Sequence, residues 1–479
     1  MGSANGSIKI NVSLMAVVML SIISFILIAL DFNRPSYYGW LPFLPLMFCL
    51  VNILFMRIYR AIPTNIGMSM IVMLYFFRLV FIPAFMSLGN YHSVLKLGIE
   101  TNAPKAISLM LYELVVVYLI MYLSLLRYNS RVIPKFEEKR DYRGNTRVFI
   151  IVMSILCIFD LYVWLFISDS HAIYKSVFRM HDTDFTTNTF NISTQFSSGS
   201  LKRAILTLFT MTVEFVRIFV SAYFIIAIKK RYHQSIKGIL ISIPFAVIQL
   251  LFVSATISQS VICAFLLLLF IAKLYPEKNK IIYSISLLSV VSFVAVYYAI
   301  RFNVSTNRYG NNPFEYMSGV FTAYFSSVDN VAAIFNISDT GKWESLFFNL
   351  YYSIPFNGTL FGLKGNNLAN LYNSANFSYG QIPPSIGAGY YYFGPILSPI
   401  FVSIMATLSV HYGFKTIHQN DLWKYLTYTL LSIMMAIGLI MYNETIVLSW
   451  FTNLILPMIM LSRLTKNTNF SIKTLDGKL

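Results

Sequence analysis

Charge is scarce in this 479-residue chain. Asp, Glu, Lys and Arg make up 11% of it, while 57% is hydrophobic. A soluble domain carries about 25% charged residues, so a water-soluble globular fold is excluded for the chain as a whole. Cysteine is scarce too. Cys49, Cys157 and Cys263 all lie in apolar stretches, which excludes a disulfide framework and a cysteine-rich zinc site. They read as small buried hydrophobes. No G-x-x-x-x-G-K-[ST] stretch occurs, which argues against an ATP-driven pump, and no H-E-x-x-H argues for a zinc protease. "DTGK" at Asp339–Lys342 lacks the rest of a phosphate loop. No internal repeat at a fixed period is visible, which disfavours a transporter built from repeated halves.

Long apolar runs are present instead. Spans are read at 12–30, 39–56, 65–88, 106–126, 148–168, 204–228, 238–254, 257–272, 281–300, 394–410, 425–442 and 446–462. Runs of about 17 to 25 apolar residues suffice to cross a bilayer. The predicted fold class is an all-α polytopic integral membrane protein. It has about 12 transmembrane helices and one large extracytoplasmic loop containing an amphipathic helix. Residues 1–300 hold nine spans and an outer loop at 169–203, residues 301–393 form the large loop, and 394–479 hold the last three spans and a tail. No small-residue cleavage site follows the first span, which is expected to be a retained helix. The pair 238–254 and 257–272 fits either two full spans or a shallow re-entrant hairpin.

The net charge of +17 is not a nucleic-acid signature, because of how it is distributed. Twelve spans put both termini on one side. That side carries 23 of the 36 Lys and Arg residues, the other side 11, and Arg78 and Arg217 lie within spans. The positive-inside rule then makes both termini cytoplasmic. The remaining basic charge serves attraction to anionic lipid of the surrounding bilayer.

The large loop is too long to be a simple connection and too aromatic to be disordered: 22 of the 94 residues from Arg301 to Gly394 are Phe, Tyr or Trp. Asn312 and Pro313 form a helix-start signal. Phe314, Met317, Phe321, Tyr324, Val328, Val331 and Phe335 then recur at spacings of three and four, one face of a single amphipathic helix. It is expected at the outer interface or packed across the bundle. A second short helix is expected around Trp343–Tyr352, and "FGLKGNNLANLYNSANFSYG" reads as a folded loop with turns. The loop closes on "QIPPSIGAGYYYFGP", Gln381 to Pro395. There the prolines should end a loop helix, and Gly387 and Gly389 should permit tight turns.

A few side chains are candidates for chemistry. Arg78, within "YFFRLVFIP", sits at membrane depth, where a charge needs a structural or functional reason; Asp160 is its candidate partner. Glu214 and Arg217 are three apart and can pair, or Arg217 can line a cavity that receives phosphate. Arg179, Arg301 and Arg308 lie in the outer loops, and arginine binds phosphate oxygens through a bidentate fork. "HDTD" at His181–Asp184 offers Asp182 and Asp184 as a general base, or more weakly as metal ligands. Glu315 is a further carboxylate, and Tyr309, Tyr390 and Tyr391 are tyrosines with a ring face and a hydroxyl to offer a ligand.

The arrangement resembles the Wzy-type polymerases of bacterial O-antigen and capsular polysaccharides: some twelve spans, a moderate outer loop, a large one before the last three spans, and outer arginines. "PPSIGAGYYYFGPILSPI" is similar to the segment that ends the large loop in such proteins, through Pro384, Ser385, Tyr390, Phe393 and Gly394. Ala388 and Gly389 stand where those proteins carry an acidic residue. "YFFRLVFIP" is similar to a third-span pattern. The resemblance implies a glycosyltransferase on the outer face of the bacterial inner membrane. It would join oligosaccharide repeat units carried on undecaprenyl pyrophosphate, without a metal or other cofactor. Arg301, Arg308, Arg217, Arg179 and Arg78 would hold the pyrophosphate, and Asp182, Asp184 or Glu315 would take the proton. A chain-length regulator and a flippase are the implied partners, and nucleic acid is not one. The rivals are an O-antigen ligase, for which a loop histidine is expected although none of the six lies in 301–393, and a lipid-linked oligosaccharide flippase or transporter, which would have short loops.

Overall fold

The computed structural model of the chain describes residues 4–93, 95, 97–129, 146–168, 170, 175–176, 200–233, 235–253, 257–276, 313–338, 341–354, 367–378, 381–417, 419 and 421–464. They are helical, with turns and loops between, apart from a two-residue antiparallel ladder pairing Lys175 with Val253 and Ser176 with Phe252. Eight helices among them are long and apolar enough to cross a membrane. These are Ser36–Leu54, Ile66–Leu88, Ile99–Tyr128, Phe149–Phe166, Ala204–Tyr232, Ile400–Ile417, Leu422–Met441 and Glu444–Ser462. The runs predicted at 12–30, 238–254 and 257–272 are shorter apolar helices, Ser13–Ala29, Ile236–Leu250 and Ser260–Leu274. The last two pack side by side. The run at 281–300 lies outside the described residues.

Leu422–Met441 is the axis of the bundle, 83% buried, and Phe149–Phe166 is peripheral at 22%. Lipid tails are as apolar as leucine, so close backbone approach and polar contacts, rather than hydrophobic burial, hold such helices together. Ser409 and Ser432 show this directly: each hydroxyl donates to the other's carbonyl, at 2.8 and 2.7 Å. Asn65 caps Ile66–Phe76 by accepting from Met68 N, and its amide donates to the Val410 carbonyl. Gly67 and Gly413 leave room for that crossing, where a β-carbon would strike Ser409 or Asn65.

Aromatic, cation–π and polar contacts gather toward two ends of the bundle. At one end Tyr128 stacks on Phe414, Phe149 and Phe219 meet Trp423, and Lys229 and Lys273 lie over Tyr275 and Tyr425. At the other, Ser87 and Tyr91 donate to Asp31, Tyr38 donates to Asp329, Asn336 donates to the Leu97 carbonyl, and Asn349 donates to Glu444. The described stretches of 313–393 are folded onto this second end.

The amphipathic helix predicted as one piece is two, Pro313–Tyr324 and Val328–Ala332. Ser326 between them has a left-handed backbone, φ 47°. The first piece packs across the bundle, with its Phe321, and Phe325 just past its end, against Phe77, Phe81 and Phe85. The second short helix is Lys342–Tyr352. The stretch read as turns contains a third, Leu368–Ala375, capped by the Asn367 side chain on Asn370 N.

The segment ending the loop also differs from its expectation. Ser385–Leu397 is helical and broken only at Gly394, φ 78°, so the span expected from 394 runs from Ile400 to Ile417. Gly387 and Gly389 lie inside the helix and serve contact rather than turning. A β-carbon at Gly387 would overlap Ile334, and one at Gly389 the Ser398 carbonyl. Alanine has the higher helix propensity, by about 1 kcal/mol, but overpacking costs about 1–3 kcal/mol. Gly389→Ala therefore lowers the thermal unfolding midpoint of the detergent-solubilised protein. A raised midpoint would show that the two segments do not approach so closely.

Candidate functional site

Arg78 lies in a π-helical turn, Phe77–Phe81, between two α-helical stretches of one span. Such turns often mark functional positions. The side chain is 1% exposed. Nη1 donates to both Glu113 oxygens at 2.8 and 2.9 Å, and Nε donates to the Ser326 carbonyl at 2.8 Å. The Tyr75 hydroxyl donates to Glu113 Oε1. Nη2 has no partner among the described residues. Asp160 is not the partner of Arg78. It accepts from the Thr212 hydroxyl, because its helix Thr146–Phe166 packs on Ser200–Tyr232. Glu113 cancels the charge of Arg78, which leaves a spare donor rather than a net cation. The second donor, Nε, holds the loop at the strained Ser326, where the two loop helices part.

Three residues beyond that break, Asp329 is fully buried. Its Oδ1 accepts from the Tyr38 phenol, the Ser93 hydroxyl is the other side chain facing the carboxyl, and Oδ2 has no partner of full hydrogen-bond geometry among the described residues. Burial pushes its carboxyl up to about 6, and the contacts with Ser93 and Tyr38 offset this only in part. Tyr38 stacks on Tyr91 with ring centroids 5.4 Å apart. The Tyr91 hydroxyl donates to Asp31 Oδ2 at 2.6 Å. For Asp31 the upward push of burial is outweighed by hydrogen bonds from Ser87, Tyr91 and Asn33 N and by the Arg34 charge, so its carboxyl is held below the ordinary value. Two stacked tyrosines thus join a carboxylate held below its ordinary value to one raised to about 6, so the two ionise in separate pH ranges.

A second buried carboxylate sits where the loop meets the last span. Asn349 donates from one amide nitrogen to Glu444 Oε1 at 3.0 Å and to the Tyr392 hydroxyl at 2.7 Å, while its own oxygen accepts from Leu368 N. Glu444 Oε2 and Thr445 Oγ1 are buried without partners among the described residues. Buried polar atoms are nearly always satisfied, so spare oxygens at both carboxylates are places for a ligand or an ordered water.

Of the residues singled out by sequence, Asp182, Asp184, Arg179, Arg301, Arg308 and Tyr309 lie outside the described residues. Arg217 pairs with Glu214 at 2.8 Å, one turn away on its own helix Ser200–Tyr232 and close to Cys263, rather than with the Asp329 cluster. Glu315 is half-buried and accepts a long bond from the Asn90 amide, 3.4 Å. Tyr390 packs on Phe335. Tyr391 is buried beneath the Lys342 ammonium, and the hydroxyl of its neighbour Tyr392 enters the polar network. Glu113, Asp329, Glu444 and Tyr38 were missed as site residues. Glu113 carried a legible signal, an acid within an apolar span. Asp329 carried only a weak one, an acid within an amphipathic helix pattern. Among the described residues, no three His, Cys, Asp or Glu gather as metal ligands. No family model, no characterised protein and no solved structure matches the chain.

Proposed function

We propose that the chain is a Wzy-type polysaccharide polymerase of the bacterial inner membrane, working on the outer face with both termini in the cytoplasm. Its substrates are oligosaccharide repeat units on undecaprenyl pyrophosphate. The observation that carries this reading is Asp329, a buried carboxylate with one oxygen tied to Tyr38 and the other spare, at the junction of a folded aromatic loop and the bundle. A pure flippase needs no such base. An acceptor sugar hydroxyl attacks the anomeric carbon of the growing chain. Its proton passes to a carboxylate, and Asp329 joins Asp182, Asp184 and Glu315 as a candidate for that role. The anomeric carbon–oxygen bond breaks, and its electron pair leaves on the lipid pyrophosphate. Arginine donors stabilise that charge, with Arg301, Arg308, Arg179 and Arg217 as candidates and Arg78 positioning the loop. Loop aromatics, Tyr309 and Tyr390 among them, hold sugar faces.

Deleting the gene and separating surface polysaccharide on a gel tests this. The expected result is loss of the long-chain ladder with single capped units retained. Loss of all attached units would instead indicate a ligase, and an unchanged ladder would exclude both enzymes.

A further inference from the structure

Helix Lys342–Tyr352 and the two residues that follow it are turned inside out. Ser345, Asn349 and Ser353 recur every four residues and are each 1% exposed, whereas Trp343, Phe347, Leu350 and Ile354 are 68, 63, 45 and 54% exposed. A helix on a water-facing surface shows the opposite pattern. The polar stripe is committed to the protein. Ser345 and Asn349 meet the Tyr392 hydroxyl, Asn349 donates to Glu444, and the Ser353 hydroxyl donates to the Thr445 carbonyl while its own carbonyl accepts from Thr452. Rotating the apolar face inward would break every one of these bonds, so the exposed face is the native one.

What covers that face follows from its neighbours. Trp343 meets Phe393 edge-on at 6.0 Å, and Phe393 meets Phe401 at 5.7 Å on the candidate span Ile400–Ile417. The exposed apolar surface runs on through Ile396, Leu397, Ile400 and Ile404. It is therefore continuous with the lipid-facing side of a membrane-spanning helix. Lys342 and Trp343 stand at the helix start, the residue types that anchor an element at head-group depth.

We propose that helix Lys342–Tyr352 lies in the bilayer interface, its Trp343–Phe347–Leu350–Ile354 face in the acyl chains of the leaflet on the loop's side. The large loop is then a membrane-inserted element rather than an aqueous cap. Its polar back forms the wall between the leaflet and the Glu444 carboxylate. The proposal goes beyond the polymerase reading and does not depend on it.

Nitroxide accessibility tests it. In a background with Cys49, Cys157 and Cys263 replaced by alanine, Phe347→Cys, Leu350→Cys, Ile354→Cys and, on the flank of the face, Glu344→Cys are labelled singly. The protein is reconstituted in phosphatidylcholine and phosphatidylglycerol vesicles. Collisions with apolar oxygen should exceed those with a water-soluble nickel chelate at 347, 350 and 354, and the ratio should fall at 344. Chelate collisions dominating at the three positions, or neither reagent reaching them, would overturn the proposal. If the cysteine-free chain fails to fold, the intact chain serves in vesicles of acyl-brominated lipid. Fluorescence lost on Trp343→Phe should be the strongly quenched fraction, and an unquenched difference would overturn the insertion.

Discussion

Arg78→Ala lowers stability by about 3–5 kcal/mol, the range observed when one partner of a buried ion pair is removed. Glu113 is then left charged or forced to take a proton, with only the Tyr75 hydroxyl to satisfy it. The Ser326 carbonyl, at a left-handed residue, loses its Nε donor as well. The measurement is thermal unfolding of the detergent-solubilised protein for Arg78→Met, Glu113→Leu and the double variant. Each single change is expected to be strongly destabilising, and the double to recover most of the loss, because an apolar pair of similar volume needs no charge compensation. Additive losses in the double would show that the two side chains are not coupled. Chain extension by the double variant separates the roles. A stable double that no longer extends chains places Arg78 in function through the loop it holds, and one with full activity confines it to structure.

Much of the bundle was legible because composition and hydropathy act over whole helices. Eight predicted spans overlap helices of spanning length, with the one read at 394–410 displaced to Ile400–Ile417, and even the peripheral one was visible as an apolar run. What was hidden depends on single contacts between distant segments. Periodicity through Phe314–Phe335 describes one apolar face correctly, yet it says nothing of the Arg78 side chain, 248 residues away from Ser326 in sequence, that stabilises the break. The glycines of "QIPPSIGAGYYYFGP" were read as turn-formers. Their purpose is room for Ile334 and for the Ser398 carbonyl, which no local pattern encodes. Arg78 is buried within a candidate span, and its partner is Glu113 rather than Asp160. Asp160 and Glu113 both sit in apolar runs, and only helix packing distinguishes them. Asp329 and Glu444 acquire their character from burial beneath a loop whose fold the sequence did not reveal.

For the proposed polymerase, Asp329→Asn is expected to abolish chain extension while leaving the protein folded, with opposite signs in activity and stability. A general base contributes about 10²–10⁴-fold, and an amide cannot take a proton at neutral pH. The Asp329 carboxyl is raised to about 6 from 3.8. At pH below 3.8 both the folded and unfolded chains hold the proton, and its burial carries no charge penalty. Between there and about 6 the unfolded chain releases the proton while the folded chain retains it, so folded stability falls as pH rises. Above about 6 both are ionised and the penalty is complete. Activity runs the other way. The base must be ionised, so wild-type extension rises through about pH 6 and levels above it. The asparagine variant should therefore show no step in activity near pH 6 and a flatter stability profile between pH 4 and 6. At neutral pH it should be at least as stable as the wild type, since it buries no charge. Tyr38→Phe offers the complementary reading. Without the phenol, the buried carboxylate loses the bond that favours its ionised form, and the activity step moves to higher pH. In-vitro extension of purified lipid-linked units across a pH series measures all three proteins. A wild-type step near pH 6 that persists in Asp329→Asn would assign the base to another carboxylate and return Asp329 to a structural role beneath the loop.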